Sequence, residues 1–200
     1  MERAARRTLI PALIVLVGVG FMGCTATKEL LAVRQVQFHL NGVSGASVAG
    51  VPLDRVSSAS DLGPTALARV GAAILTGEVP LELTVHIEGR NPESNTVTAR
   101  LVAMDWTCAV DDRDMVSGTL DEPYSFAPGR ARDIPLLVRC DLLKFGNRRA
   151  DLVDVALAMA GRNTRSHRVS LRLTPSIDTA MGRIRYPAPI TLDIAAPESR

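Results

Sequence analysis

Apolar residues recur at every second position along several separate stretches, and this alternation constrains the fold more than any other feature. Leu81, Leu83, Val85 and Ile87 alternate with polar neighbours, as do Met104, Trp106, Cys108 and Val110. Leu136, Val138 and Cys140 repeat the pattern, and so do Val169, Leu171 and Leu173. A period of two puts all apolar side chains on one face of an extended strand. Such half-apolar strands hide that face against a second sheet.

Turn residues set the expected strand order. Val33, Val36, Phe38 and Leu40 mark a first strand, Asn41-Gly42 a turn, and Val48–Val56 a second extended piece. Leu81–Ile87 ends at Gly89-Arg90-Asn91-Pro92, and Val97–Val110 reads as one long strand. Asp111-Asp112-Arg113-Asp114 forms a polar hairpin tip before Met115–Leu120, which Tyr124-Ser125-Phe126 extends past Pro123. Pro128-Gly129 turns the chain into Ile134–Cys140, and Val169–Leu173 and Ile184–Ile194 close the domain.

Two segments break the alternation. Leu67, Val70, Ile74 and Leu75 fall at helical spacing, with Ser60 or Asp61 to cap, Pro64 in the first turn and Gly77 at the end. This predicts a helix over 64–76 lying closely against the sheet. A second is expected over 148–160, where Leu152, Val155, Ala156 and Met159 share a face. The expected fold is mainly β: an antiparallel sandwich of about 7–8 strands with two inserted helices, rather than βαβ units.

The chain opens differently. Arg3, Arg6 and Arg7 precede an apolar run, Leu9–Met22, that is shorter than the roughly 20 residues a spanning helix needs. Pro11, Gly18, Gly20 and Gly23 weaken it further as a helix. A basic head, a short apolar segment and a small residue before a cysteine make an export signal. An uncleaved anchor, or ordinary cleavage nearby, is the plainer alternative. Phe21-Met22-Gly23-Cys24 resembles the lipobox of bacterial lipoproteins, with Phe21 at the usual leucine position and Met22 at the usual alanine or serine. The resemblance implies removal of 1–23, acylation of Cys24, and a tether over 24–32 ahead of a domain at 33–197. It places that domain in the cell envelope, held to the membrane by acyl chains. In a two-membrane bacterium, Thr25 after the cysteine implies the outer membrane and a periplasmic domain.

Loss of 1–23 takes Arg3, Arg6, Arg7 and Glu2 from the 23 basic and 21 acidic residues, leaving 20 of each. No basic field remains to attract nucleic acid. Of three cysteines, Cys108 and Cys140 then remain, both on apolar strand faces. They can form one disulfide, worth about 3–4 kcal/mol by loop entropy, or remain two buried thiols.

From Leu81 through Leu142 the alternating strand, Asn91-Pro92, long strand, charged hairpin, Gly118 and Pro128-Gly129 turn together resemble the late-embryogenesis-abundant type 2 domain, also called the WHy domain. Gly182-x-Ile184-x-Tyr186-Pro187 fits its last hairpin. The resemblance covers most of 33–195. It implies a fibronectin-III/immunoglobulin-like sandwich without catalytic residues, a role in desiccation or stress protection, and, for some members, lipid binding. Asn91-Pro92 also has a local meaning: proline fixes φ and removes a donor, so the pair forms a structural turn that ends the strand.

No constellation of residues asks for catalysis or a cofactor. His39, His86 and His167 are isolated in sequence and read as ordinary strand histidines. Gly42-Val43-Ser44-Gly45 lacks the spacing of a nucleophile elbow. Asp111, Asp112 and Asp114 lack the glycine and glutamate of a calcium loop. Asp151 and Asp154, beside Arg148 and Arg149, read as a solvated helix face. Trp106 reads as core. The expectation is a non-enzymatic, membrane-tethered module that protects or organises the envelope. Its alternative is a module that holds a lipid or protein ligand in an apolar groove.

Overall fold

The alternating stretches pair into antiparallel sheets. A computed structural model of the protein describes residues 35–144, 149–162, 167–179 and 182–194. The expected signal, Cys24 and the tether lie outside them. The strands are β1 (Gln37–Val48), β2 (Val51–Pro52), β3 (Pro80–Arg90), β4 (Ala99–Leu101), β5 (Ala103–Val110), β6 (Arg113–Leu120), β7 (Tyr124–Phe126), β8 (Ala131–Asp141), β9 (Val169–Thr179), β10 (Gly182–Arg185) and β11 (Ile190–Ile194). Among the described residues two α-helices are inserted between strands, α1 (Pro64–Thr76) and α2 (Arg149–Met159).

One sheet runs β2-β1-β3-β8 and the other β10-β9-β5-β6, with β11 also pairing β9. The core lies between them. Leu81, Leu83 and Ile87 on one side and Met104, Leu171 and Leu173 on the other are all at most 2% exposed. Each such side chain contributes about 1.5–3 kcal/mol of apolar burial. The fold is therefore an antiparallel β-sandwich carrying two helices.

Several local expectations are corrected. Asn41-Gly42 is not a turn; it lies inside β1, where the pairing with β3 shifts between Leu40 and Gly42 and again between Ser44 and Ser47. Gly42 and Gly45, at φ 136° and 60°, serve these bulges rather than a hairpin. The turn comes at Ala49-Gly50, both with positive φ, and the second extended piece shrinks to Val51–Pro52. The long strand over 97–110 breaks at Val102, whose amide turns to the Ser176 carbonyl. Tyr124–Phe126 does not extend β6; it pairs with β4 as a separate ribbon.

Helix α1 has the expected bounds, with Pro64 in its first turn and Gly77 closing it at φ 84°. Its cap is Gly63. Asp61 instead accepts bonds from the Ser57 and Ser58 amides, both at 2.9 Å. The helix does not lie closely on the sheet. Only Val70 is buried, while Leu67 and Leu75 are 50% and 83% exposed. Helix α2, expected to be amphipathic, is buried nearly all round through Leu152, Val153, Ala156, Leu157 and Met159. Among the described residues no helix is long and apolar enough to cross a membrane.

Candidate functional site

The outer face of the β2-β1-β3-β8 sheet carries a row of three polar side chains from three strands. Register explains it. His86 on β3 pairs with Gly42 on one side and Pro135 on the other, while Ser44 pairs with Thr84 and Asp133 with Glu88. Ser44 and Asp133 are thus diagonal neighbours of His86 on a shared face, within reach of an imidazole. Ser44 Oγ lies 2.8 Å from His86 Nε2, and Asp133 Oδ2 lies 2.8 Å from His86 Nδ1. An ionised carboxylate only accepts, so Nδ1 carries the proton and donates to Asp133. In the neutral ring Nε2 then accepts from the Ser44 hydroxyl. The row is open to water: the His86 and Asp133 side chains are 31% and 45% exposed. The Arg139 Nε–Glu82 Oε1 ion pair, at 3.2 Å, lies on the same face.

His86 is therefore not an isolated strand histidine, and neither is His167. His167 Nδ1 lies 2.7 Å from Asp111 Oδ2, and the Arg168 amide donates to Asp111 Oδ1 at 2.9 Å. These bonds, His167 first, hold the Asp111 carboxyl below its ordinary range. Asp111 and Asp112 form the β5–β6 turn at φ 50° and 62°, so the tip is two residues rather than four. Sequence reading missed both pairs because the partners are 47 and 56 positions apart. The one available signal was that His86 and Asp133 sit at outward positions of alternating strands and Asp111 at a hairpin turn; nothing local marked His167, which precedes β9.

The remaining candidates have structural surroundings. Asn91 is fully buried. Its Nδ2 donates to the Phe126 carbonyl at 2.8 Å and the Val97 carbonyl at 3.0 Å, and its Oδ1 accepts from Asn95 Nδ2 at 2.8 Å. Pro92 follows, its carbonyl accepting the Asn95 amide at 3.0 Å. Trp106 is core. The Asp151 side chain lies outside the described residues. Among the described residues no group of three or more His, Cys, Asp or Glu is placed to hold a metal ion.

Cys108 and Cys140 are free thiols on the inward faces of β5 and β8, belonging to opposite sheets. Burial pushes the Cys108 thiol up to about 12, with a further contribution from Cys140. Burial, then Asp141, pushes Cys140 to about 11. A cavity of about 520 Å³ opens beside β1, the end of α2 and β11, lined by Leu40, Val43, Ile194 and the polar Asn41, Arg162 and Asp193.

No protein-family model matches the chain, and no curated protein matches it. Among solved structures it is similar to a protein from Archaeoglobus fulgidus, at 11% identity and a TM-score of 0.37, covering 79% of this chain and 90% of that one. An Arabidopsis thaliana protein solved in solution is similar at 15% identity and a TM-score of 0.36, over 60% of this chain and 73% of its own. A protein named as a candidate late embryogenesis abundant (LEA) protein is similar at 10% identity and a TM-score of 0.37, over 94% and 87%. Likeness at these scores fixes neither family nor function.

Proposed function

We propose that this chain is an envelope lipoprotein of the late-embryogenesis-abundant type 2 kind. In this reading Cys24 carries acyl chains, residues 24–32 are a tether, and the sandwich is a non-catalytic module that protects or organises the envelope under desiccation or salt stress. The filled space between the sheets carries the reading. Side chains such as Leu81, Ile87, Met104 and Leu171, none of them exposed, occupy the place where an apolar groove would run. A domain with a filled interior acts through its folded surface. Two or more acyl chains, at about 0.8 kcal/mol per buried methylene, hold it at the membrane.

Export would carry Cys108 and Cys140 into an oxidising compartment, where this reading includes a bond between them. A second reading has one observation in its favour: the cavity at the sandwich edge combines apolar Leu40, Val43 and Ile194 with Arg162 and Asp193, suiting a lipid or a protein segment.

Mass spectrometry of the mature protein extracted from membranes tests the assignment. The expected product begins at an acylated Cys24, and Cys24→Ala moves the protein out of the membrane fraction. A product retaining residues 1–23 with a free Cys24 overturns it. Strains lacking the protein are expected to survive drying less well, and equal survival removes the protective role. A lipid that copurifies in fixed stoichiometry replaces the scaffold reading with the ligand one.

A further inference from the structure

We propose that Ser44 is a nucleophilic hydroxyl that takes acyl and phosphonyl groups from activated esters, with His86 as its base and Asp133 as the positioning residue. The inference goes beyond the scaffold reading and stands apart from it, because it concerns the outer face of one sheet and not the anchor.

Three observations carry it. The first is the chain of contacts: a serine hydroxyl 2.8 Å from Nε2, and a carboxylate 2.8 Å from Nδ1 of the same ring. Nucleophile, base and orienting group within hydrogen-bond reach form the arrangement that activates a weak hydroxyl. The second is the backbone at Ser44. It stands between two bulges of β1 and is followed by Gly45 at φ 60°, a left-handed conformation that favours glycine. The bulges bend β1 on either side of Ser44, which itself keeps the register that sets it beside His86. The third is access: Ser44 is exposed, and beyond Gly45 and its immediate chain neighbours no atom lies within 4 Å of where a β carbon on Gly45 would stand.

The site is open and flat. No hydrogen bond among the described residues marks a pair of donors aimed above Ser44, and each absent oxyanion donor forgoes about 10²–10³ in rate. The structure therefore points to electrophiles that bring their own leaving group, and to one covalent event per chain rather than rapid turnover. In that event the bond from Ser44 Oγ to the carbonyl carbon or phosphorus forms, and the bond to the leaving alkoxide, thiolate or fluoride breaks. The hydroxyl proton passes to His86 Nε2, while Asp133 holds the imidazolium.

The test is labelling of the full chain at neutral pH with a biotin-tagged alkyl fluorophosphonate, located by peptide mass spectrometry. One adduct on Ser44 is expected, lost in Ser44→Ala. His86→Ala is expected to slow its formation by about 100-fold, the scale of general-base assistance. Asp133→Asn should slow it without abolishing it. All three positions are on the surface, so an unchanged circular dichroism melt shows that the variants are folded. No label, label spread over Ser47, Ser57 and Ser58, or a Ser44 rate indifferent to His86→Ala each overturns the proposal. These outcomes would show that the three side chains only stitch β1 and β8 to β3. They leave the anchor and scaffold readings untouched, since those rest on Cys24 and the core.

Discussion

Gly89 lies so close to Phe126 that a β carbon on it would stand 2.5 Å from the Phe126 Cε1 atom. Phe126, on the β4–β7 ribbon, reaches over β3 at this point and meets Phe38 edge-on, ring centres 6.3 Å apart. Phe38 is itself the β1 partner of Gly89. A missing side chain in one sheet thus makes room for the ring that joins the ribbon to it.

Gly89→Ala is expected to destabilise the domain by about 1–3 kcal/mol, because an overpacked ring must leave its rotamer or push the strand aside. Urea unfolding measures the loss. Phe126→Leu in the same chain should recover part of it, a coupling that a double-mutant cycle reads directly. Additive losses would show that the ring is not what Gly89 accommodates.

Asn91→Leu keeps the volume and removes the bonds to the Phe126 and Val97 carbonyls. A buried carbonyl left unpaired costs about 1–3 kcal/mol, so the variant should unfold at clearly lower urea. The Val97 amide, which bonds to Asn95 Oδ1 at 3.3 Å, should exchange faster with deuterium. An unchanged midpoint would mean water replaces the asparagine without loss.

Asp111→Asn tests the sign of a titration. His167 and the Arg168 amide hold the Asp111 carboxyl below its ordinary value of 3.8. A depressed carboxyl stabilises the fold above its unfolded value, and that contribution is lost as pH falls through the folded one. The variant should therefore be less stable than the parent at neutral pH and converge with it in acid below 3.8. Asparagine accepts the left-handed backbone at φ 50°, so strain does not confuse the comparison. Melting curves from neutral pH downward check it; a gap that widens in acid would contradict the cause.

The cysteines give a kinetic prediction. Thiols pushed to about 12 and about 11 hold almost no thiolate at neutral pH. Oxidised glutathione should join Cys108 to Cys140 slowly, the two thiols losing two hydrogens to the reagent, and faster as pH rises. Mass spectrometry without reductant follows the bond, and Cys108→Ser should block it. Separate glutathione adducts on both cysteines, with no internal bond, would rule out the pairing.

What could be read without coordinates was whatever repeats locally. Alternation at Leu81–Ile87 and Val169–Leu173 marks strands because burial on one face of a pleat needs only neighbours in sequence. Pro64 and Gly77 bound α1 because each acts through its own φ. Asn41-Gly42 misled for the same reason: glycine advertises a permissive φ but not whether a turn or a bulge uses it. The exposed Leu75 and the burial of α2 beyond a single face were not legible, because helical spacing says which residues share a face and not what that face meets.

The sequence by itself determined the antiparallel sandwich and the two inserted helices, both consequences of short-range pattern. Tertiary structure alone decided that Ser44, His86 and Asp133 stand in one hydrogen-bonded row, that Asn91 closes on Phe126 and Val97, and that Cys108 and Cys140 face the same core. Those relations depend on strand register, and register is set by the sum of many long-range apolar contacts. A shift of one residue would turn every side chain of a strand to the other face.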